Sequence, residues 1–191
     1  GVEAIAVCLI NSFANPINER LLSDVIHETA PDIPCCISYE VLPEIKEYER
    51  TSTTVINAYL LPVIMGYLNS LVRQLQDAAI DAPLLLMQSN GGLTSVEKAR
   101  RLPCHIIESG PAGGVVGAHA LSKKLGLDDI VTFDMGGTTA KASLIERGQY
   151  SRAVEYSVGG GIMSASRLLT GSGYRLKVPA IDLAEVGAGG G

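Results

Sequence analysis

The stretch that most restricts what this chain can become is Ile130-Val-Thr-Phe-Asp-Met-Gly-Gly-Thr-Thr-Ala-Lys-Ala-Ser-Leu-Ile145. Its first four residues form a short run rich in β-formers, the composition of a buried strand. Asp134 ends that run, Gly136 and Gly137 open a turn with Thr138 and Thr139, and residues 141–145 return to strand character. Strand, Gly-Gly turn and strand predict a β-hairpin. Two uses fit this pattern. One is a tight hairpin with a capping aspartate. The other is a phosphate cradle. Glycine lets a backbone approach a ligand closely, successive turn N–H groups form an anion-binding concavity, and two threonine hydroxyls add donors. Asp134, at the carboxyl end of its strand, is then placed to hold a Mg²⁺ hydration shell.

Composition narrows the classes. With 191 residues, 47% of them hydrophobic, the chain can bury a substantial core, as one domain or as a large piece of a bigger protein. A net charge of −5 without a basic block argues against general nucleic-acid binding. Pro62, Asn69 and Arg73 interrupt the longest apolar stretches, so none is expected to reach the roughly 20 residues of a membrane span. The chain opens at Gly1-Val-Glu beside a strand and closes in Gly187-Ala-Gly-Gly-Gly191, which reads as a piece of a longer protein. Cys8, Cys35, Cys36 and Cys104 match no zinc or redox spacing and are expected as free thiols in a reducing, cytoplasmic setting.

Taken in order, residues 4–10 form a continuous apolar strand pattern. Asn15 and Pro16 supply an N-cap and a first-turn proline. The helix they open, residues 16–29, carries Ile17, Leu21, Leu22, Val25 and Ile26 on one face. Residues 33–39 form a second strand, which predicts a β-α-β unit with parallel pairing. A long helical pattern follows over residues 51–79, with Pro62 expected to kink or divide it and its Met and Tyr residues expected in the core. Residues 84–88 predict a buried strand, residues 89–92 a turn, and Thr94 or Ser95 a cap for a short helix ending at Arg101. Residues 104–107 are read as a strand. Residues 108–126 are read as a glycine loop opening a helix from about Ala112. Such a start suits an anion, although Gly113, Gly114 and Gly117 equally suit close helix packing. Further strands are expected at residues 152–158 and 178–183, with a Gly159-Gly-Gly161 loop between them and then an ambiguous stretch, residues 162–175, in which residues 162–169 can form a short helix. His27 is expected in solvent and His105 and His119 as packed, non-ligating residues. Lys141 can reach a phosphate, but an outward strand lysine is the simpler reading.

Several stretches together are more specific than any one: Asn11-Ser-Phe-Ala-Asn-Pro16 with Glu19-Arg20, Glu49-Arg-Thr-Ser-Thr-Thr54 with Asn57-Ala-Tyr59, Met87-Gln-Ser-Asn-Gly-Gly92, Ser109-Gly-Pro-Ala-Gly-Gly114, Phe133-Asp-Met-Gly-Gly-Thr-Thr139, and Ile181-Asp182 before the terminal glycines. In this order they resemble the hydantoinase A / 5-oxoprolinase family, over essentially the whole chain. The resemblance implies an α/β fold of the actin-like ATPase (ribonuclease H-like) type, with mixed sheets flanked by helices. It implies residues 1–48 as the end of a preceding lobe, and residues 49–191 as the first part of the family core with its second phosphate hairpin.

The implied activity is ATP-dependent hydrolysis of a cyclic amide, activated by phosphorylation before ring opening. A ketone carboxylase subunit or a non-catalytic ATPase module of the same fold is the alternative. The implied cofactors are ATP and Mg²⁺. Asp134 would hold the metal through water, and Gly136, Gly137, Thr138, Thr139, Gly113 and Gly114 would hold phosphate. The implied partners are a small cyclic amide and a hydantoinase B-like subunit or fused half, with no nucleic acid and no membrane. One departure stands out: many family members carry an acidic residue where this chain has Lys141. The isolated stretch of 191 residues, holding about half of a nucleotide site, is expected to be inactive by itself.

Overall fold

A computed structural model describes residues 1–137, 139–158 and 173–187. The expected Gly159–Gly161 loop, nearly all of the ambiguous stretch after it, the terminal glycines from 188 on, and Thr138 lie outside the described residues. The chain divides into two compact units, residues 1–86 with 94–104, and residues 87–93 with 105–191.

The first unit begins with β1 (Ile5–Val7), α1 (Ile17–Thr29) and β2 (Cys35–Ile37), and β1 pairs with β2 in parallel, Ile5 opposite Cys35. The β-α-β expectation holds. Helix α1 corrects the expectation about its faces. Ile17, Leu21 and Val25 are more than half exposed, and the buried residue is Glu19. The periodicity placed the apolar stripe correctly on one face, but within this unit the opposite side turns inward, because Glu19 has polar partners there.

A short helix α2 (Ser38–Val41) leads into α3 (Glu47–Asp77), one helix of 31 residues with Pro62 inside it. The proline does not divide it. Its tyrosines are not core: Tyr59 is 80% exposed and Tyr67 57%. The buried positions of α3 are instead Arg50, Thr53, Thr54, Asn57, Ala58, Leu61 and Leu68. By length and composition α3 is a helix that could cross a membrane, contrary to the expectation from uninterrupted runs. Its buried residues tie it into an α/β unit, however: Asn57 donates to the Arg101 carbonyl at 3.0 Å and its amide oxygen accepts from the Cys104 N–H.

The chain crosses between units near β3 (Leu85–Met87) and β4 (Leu93–Ser95). Helix α4 (Val96–Arg101) is capped by Ser95, whose hydroxyl accepts from the Lys98 N–H. The strand expected at residues 104–107 is a 3-10 turn, Pro103–Ile106. Pro103 starts it, and Cys104 is fully buried. All four cysteines are free. Burial pushes the Cys36 thiol up to about 11 and Cys104 up to about 12. Thiolate is the reactive form. A thiol-titrating disulfide reagent at neutral pH should therefore leave Cys36 and Cys104 unmodified in the native protein and react with them only after denaturation. Labelling of either at native rates equal to a denatured control contradicts this packing.

The second unit holds α5 (Ser109–Leu125), β5 (Ile130–Met135), β6 (Ala140–Glu146), β7 (Gln149–Tyr150), β8 (Arg152–Ala153), β9 (Tyr156–Val158), β10 (Tyr174–Leu176), β11 (Ala180–Ile181) and β12 (Ala184–Val186). Its main sheet runs β12-β6-β5, with β7 continuing from β6 as a hairpin, all antiparallel. Strands β9 and β10 pair, as do β8 and β11. The β6–β7 turn uses Arg147 and Gly148 at φ 52° and 68°, the left-handed pair that a tight hairpin turn requires. The core gathers Ala112 and Val115 of α5 with Ile145, Ile181 and Leu183.

Candidate functional site

The predicted hairpin forms. β5 and β6 pair in register from Ile130 opposite Ile145 to Met135 opposite Ala140, and the Gly136 N–H donates to the Thr139 carbonyl at 3.0 Å across the turn. The strand runs one residue past Asp134. It is not a buried strand: Val131 is 68% and Phe133 67% exposed, while Ile130 and Thr132 are only partly exposed. Asp134 stands exposed at the end of β5, directly opposite Lys141 on β6.

Helix α5 starts three residues earlier than expected, at Ser109. Gly113 and Gly114 therefore lie inside its first turns and not in a loop before it. Its start is held by buried Ser89, whose hydroxyl accepts from the Glu108 N–H at 3.1 Å. The Ser89 carbonyl accepts from the Ile181 N–H, and its own N–H reaches the His105 carbonyl. The Met87–Gly92 motif is thus a bracket that fixes where α5 begins.

Between α5 and β5 lies a cleft of about 390 Å³. Asp134, Thr132 and Lys141 line one side, and Pro111, Gly114 and Ala118 the other. The structure brings Asp134 and Gly114 to the same space. It does not bring Gly113 there, whose missing side chain points towards Met87 at 3.9 Å. Gly136, Gly137 and Thr139 sit in the turn beyond Asp134 and are not among the cleft-lining residues. Thr138, expected as a phosphate contact, is outside the described residues.

The glycines separate into two kinds. Gly91 has φ +84°, and a Cβ there would lie 2.9 Å from the Val116 side chain. The fold itself demands that glycine. Gly91→Ala should lower the melting temperature of the protein by several degrees, and an unchanged melting curve contradicts this packing. Gly114, Gly117, Gly136 and Gly137 are the other kind. None has positive φ, and a Cβ at any of them would meet nothing within 4 Å. Close helix packing, the alternative use of the α5 glycines, does not occur at Gly114 or Gly117. What these positions leave is bare backbone facing open space.

Lys141 is not an outward lysine. Its ammonium lies 2.7 Å from a Glu108 carboxylate oxygen and 3.7 Å from one of Glu185, and its side chain is 15% exposed. Glu108 and Glu185 are equally enclosed and were not singled out from sequence. Glu108 precedes the helix it flanks, and Glu185 lies in β12 opposite Lys141, a pairing that only the fold creates. Among the described residues no three His, Cys, Asp or Glu side chains are grouped so as to hold a metal. His119 is packed: its Nε2 bonds the Gly148 carbonyl at 2.9 Å and its ring meets Tyr150 edge-on. His27 bonds within its own helix, to Ser23.

A second polar cluster organises the first unit. Glu19, fully buried, accepts from the Leu9 N–H at 2.8 Å, the Ser38 hydroxyl at 2.6 Å and the Tyr39 N–H at 2.9 Å. Arg50, also fully buried, donates to the Leu9 carbonyl at 2.6 Å and the Glu44 carbonyl at 2.7 Å, with its guanidinium over the Phe13 ring. Burial pushes the Glu19 carboxyl up, but the hydrogen bonds from Ser38, Leu9, Tyr39 and Ser12 outweigh it and hold the group below its ordinary value. Both residues belong to motifs that drew the family resemblance. Glu19 accepts at both carboxylate oxygens, whereas the buried Arg50 Nε has no hydrogen-bond partner among the described residues.

Comparison with known proteins now bears on identity. The chain is 44% identical to an uncharacterized protein of Methanocaldococcus jannaschii over 99% of its own length and 28% of that protein's. It is 34% identical to the caprolactamase subunit alpha of Pseudomonas jessenii over 100% of its length and 25% of the relative's, and it overlays the crystal structure of that ATP-dependent enzyme with a TM-score of 0.75. The nucleotide-free structure of acetone carboxylase, an enzyme of ATP-dependent acetone carboxylation, gives a TM-score of 0.78 at 28% identity, over 99% of this chain and 25% of that one. The chain therefore spans about a quarter of the length of these three proteins, and the mixed sheets and helices expected from the resemblance are those of the two solved enzymes. The hydantoinase/oxoprolinase family model matches residues 50–191, and the chain belongs to that family.

Proposed function

We propose that the intact protein is an ATP-dependent hydrolase of a cyclic amide, and that the α5–β5 cleft with the adjoining turn receives the phosphates of the nucleotide. The observation that carries this reading is the place of three glycines that have no positive φ and no neighbour for a Cβ among the described residues, a freedom shared by Gly66, Gly110 and Gly117: Gly114 lies in the cleft, and Gly136 and Gly137 lie beside Asp134. Bare backbone without a side-chain neighbour is what close approach by a phosphate needs.

The residues also fit a Mg²⁺ ion arriving with the nucleotide. Magnesium is commonly bound by one or two carboxylates together with substrate phosphates and retained water. Asp134 offers one exposed carboxylate. Among the described residues the cleft is lined by one carboxylate, Asp134, and one ammonium, Lys141, whose charge is already engaged by Glu108 and Glu185, so a triphosphate would need a cation with it. When bound, ATP would supply the phosphoryl group that activates the amide: with its oxygen phosphorylated, the ring carbon is open to water. The ring C–N bond then breaks with the nitrogen leaving as the protonated amine, and hydrolysis of the acyl phosphate releases inorganic phosphate. Asp134 would orient the ion through water, and the N–H groups of Gly137 and Thr139 would hold phosphate oxygens, while the Gly136 N–H closes the turn on the Thr139 carbonyl. Catalysis of this kind rests on positioning and charge neutralisation.

The caprolactamase relative favours a cyclic amide, and the acetone carboxylase relative keeps a ketone as the second reading. Both are known as multi-subunit enzymes by the names of their subunits, so a partner subunit belongs to the proposal. The test is ATP consumption by the intact protein with its partner, against a panel of lactams, hydantoin, 5-oxoproline, and ketones with bicarbonate. ATP hydrolysis stimulated by a cyclic amide, with ring-opened product, supports the reading. Stimulation only by a ketone with bicarbonate moves the function to the carboxylases.

A further inference from the structure

The ammonium of Lys141 occupies an unusual place. It sits among the carboxylates of Glu108, ahead of α5, and Glu185, on β12, while Asp134 stands opposite it on β5. The two glutamate side chains are 8% and 10% exposed. Two nearly buried carboxylates close enough to share one cation carry a net negative charge that costs free energy unless it is neutralised. Such a pair, with water, is also the donor set that a hard divalent cation accepts.

We propose that Lys141 is a tethered cation that holds the place of a divalent ion between Glu108 and Glu185, so that the nucleotide cleft works with one metal ion, the one at Asp134, and not with two. Lys141 is therefore a positioning residue. Its two ion pairs connect the start of α5, β6 and β12, three elements around the cleft, through a charge that cannot dissociate into solvent. A bound metal would tie the same elements together only at sufficient metal concentration. The lysine makes that tie permanent and leaves Asp134 as the remaining exposed carboxylate for the ion that enters with the nucleotide. The proposal rests on the reading of the cleft as a Mg²⁺–nucleotide site for its functional meaning, but its physical content is testable without nucleotide.

The test measures Mn²⁺ binding to the intact, nucleotide-free protein by the loss of the free-ion electron paramagnetic resonance signal. Lys141→Met should bind one Mn²⁺ at least tenfold more tightly than wild type. Lys141→Arg, which keeps the charge, should behave as wild type, and Lys141→Met with Glu185→Gln should lose the gained affinity. Thermal melting gives a second readout: Lys141→Met should melt several degrees below wild type and recover on adding Mn²⁺, but not on adding the same ionic strength of KCl. If Lys141→Met is too unstable to purify, Lys141→Gln, which keeps a hydrogen-bond donor for Glu108, carries the same comparison. Unchanged Mn²⁺ affinity in these variants, or a stability loss that Mn²⁺ does not reverse, overturns the proposal. If the variants gain the ion but wild type takes up no Mg²⁺–ATP, the nucleotide reading of the cleft fails and the role of Lys141 as a built-in cation stands.

Discussion

Asp134→Ala in the intact protein should reduce substrate-stimulated ATP turnover on the order of 10²–10³-fold, the size of effect seen when one preorganised charge-stabilising group is removed. The fold should survive. Asp134 is exposed, near the end of an edge strand. Surface substitutions of this kind usually change stability by no more than about 0.5 kcal/mol. The combination matters: a large loss of turnover with an unchanged melting temperature places the residue in the chemistry. Asp134→Asn is the finer variant, because it keeps the shape and removes the charge. If the carboxylate acts through a metal ion, Asp134→Asn should be nearly as impaired as the alanine, and raised Mg²⁺ should recover part of the loss. Turnover within twofold of wild type in both variants would show that the aspartate only ends a strand.

Glu19→Ala should have the largest effect on stability. The substitution leaves the Leu9 N–H, the Ser38 hydroxyl and the Tyr39 N–H without their acceptor in a buried place. Each buried unsatisfied group costs about 1–3 kcal/mol, and disrupting a buried charged network about 3–5 kcal/mol in total. We expect a loss in that range by chemical denaturation. Glu19→Gln, which retains one carbonyl oxygen, should lose less. The carboxyl also predicts a pH dependence. Its folded value is held below the ordinary 4.5, so the folded state favours the ionised form. That stabilisation is fully present above about 4.5 and is lost as pH falls through the depressed folded value. Wild type should therefore lose stability on acidification below about pH 4.5, with a shallower acid limb in Glu19→Gln. Parallel limbs in the two proteins would contradict the assignment.

The sequence was most legible where local chemistry decides the outcome. Asn15 and Pro16 stand at the start of α1, each one place earlier in the cap than expected, with Pro16 as N-cap and the Asn15 side chain accepting from the Ile17 N–H, and Ser95 caps α4 with its own hydroxyl. The β5–β6 hairpin was legible for the same reason. It failed where a face had to be assigned. Glu19 and Arg50 are charged, and any sequence rule sends them to solvent. Their burial follows from partners on β2, α2 and the loops, such as the Leu9 carbonyl that Arg50 reaches across 41 residues. The exposed Ile17, Leu21, Tyr59 and Val131 are the same error reversed. Residues 104–107 resembled a strand because Cys104, Ile106 and Ile107 are apolar, but Pro103 starts a tight turn there and the Asn57 side chain accepts from the Cys104 N–H.

The candidate site was half legible. Asp134 lies one residue before the end of β5, ahead of the turn that holds Gly136 and Gly137, so spacing alone places them together. Gly114 joins Asp134 at the cleft only through the packing of α5 on β5, and Glu185 meets Lys141 only because β12 pairs with β6. A lysine in a strand gives no sign of two carboxylates waiting for it.

The most direct test of the nucleotide reading is Mg²⁺–ATP affinity of the intact protein, measured by titration calorimetry for wild type and Gly114→Leu. Leucine favours a helix more than glycine does, and its Cβ meets nothing within 4 Å, so the melting temperature should not fall. A side chain at this position projects into the space assigned to the phosphates. A tenfold or greater loss of Mg²⁺–ATP affinity at unchanged or raised stability is the expected result. Affinity equal to wild type would mean that the nucleotide does not enter the α5–β5 cleft, and the proposed function would lose its structural basis.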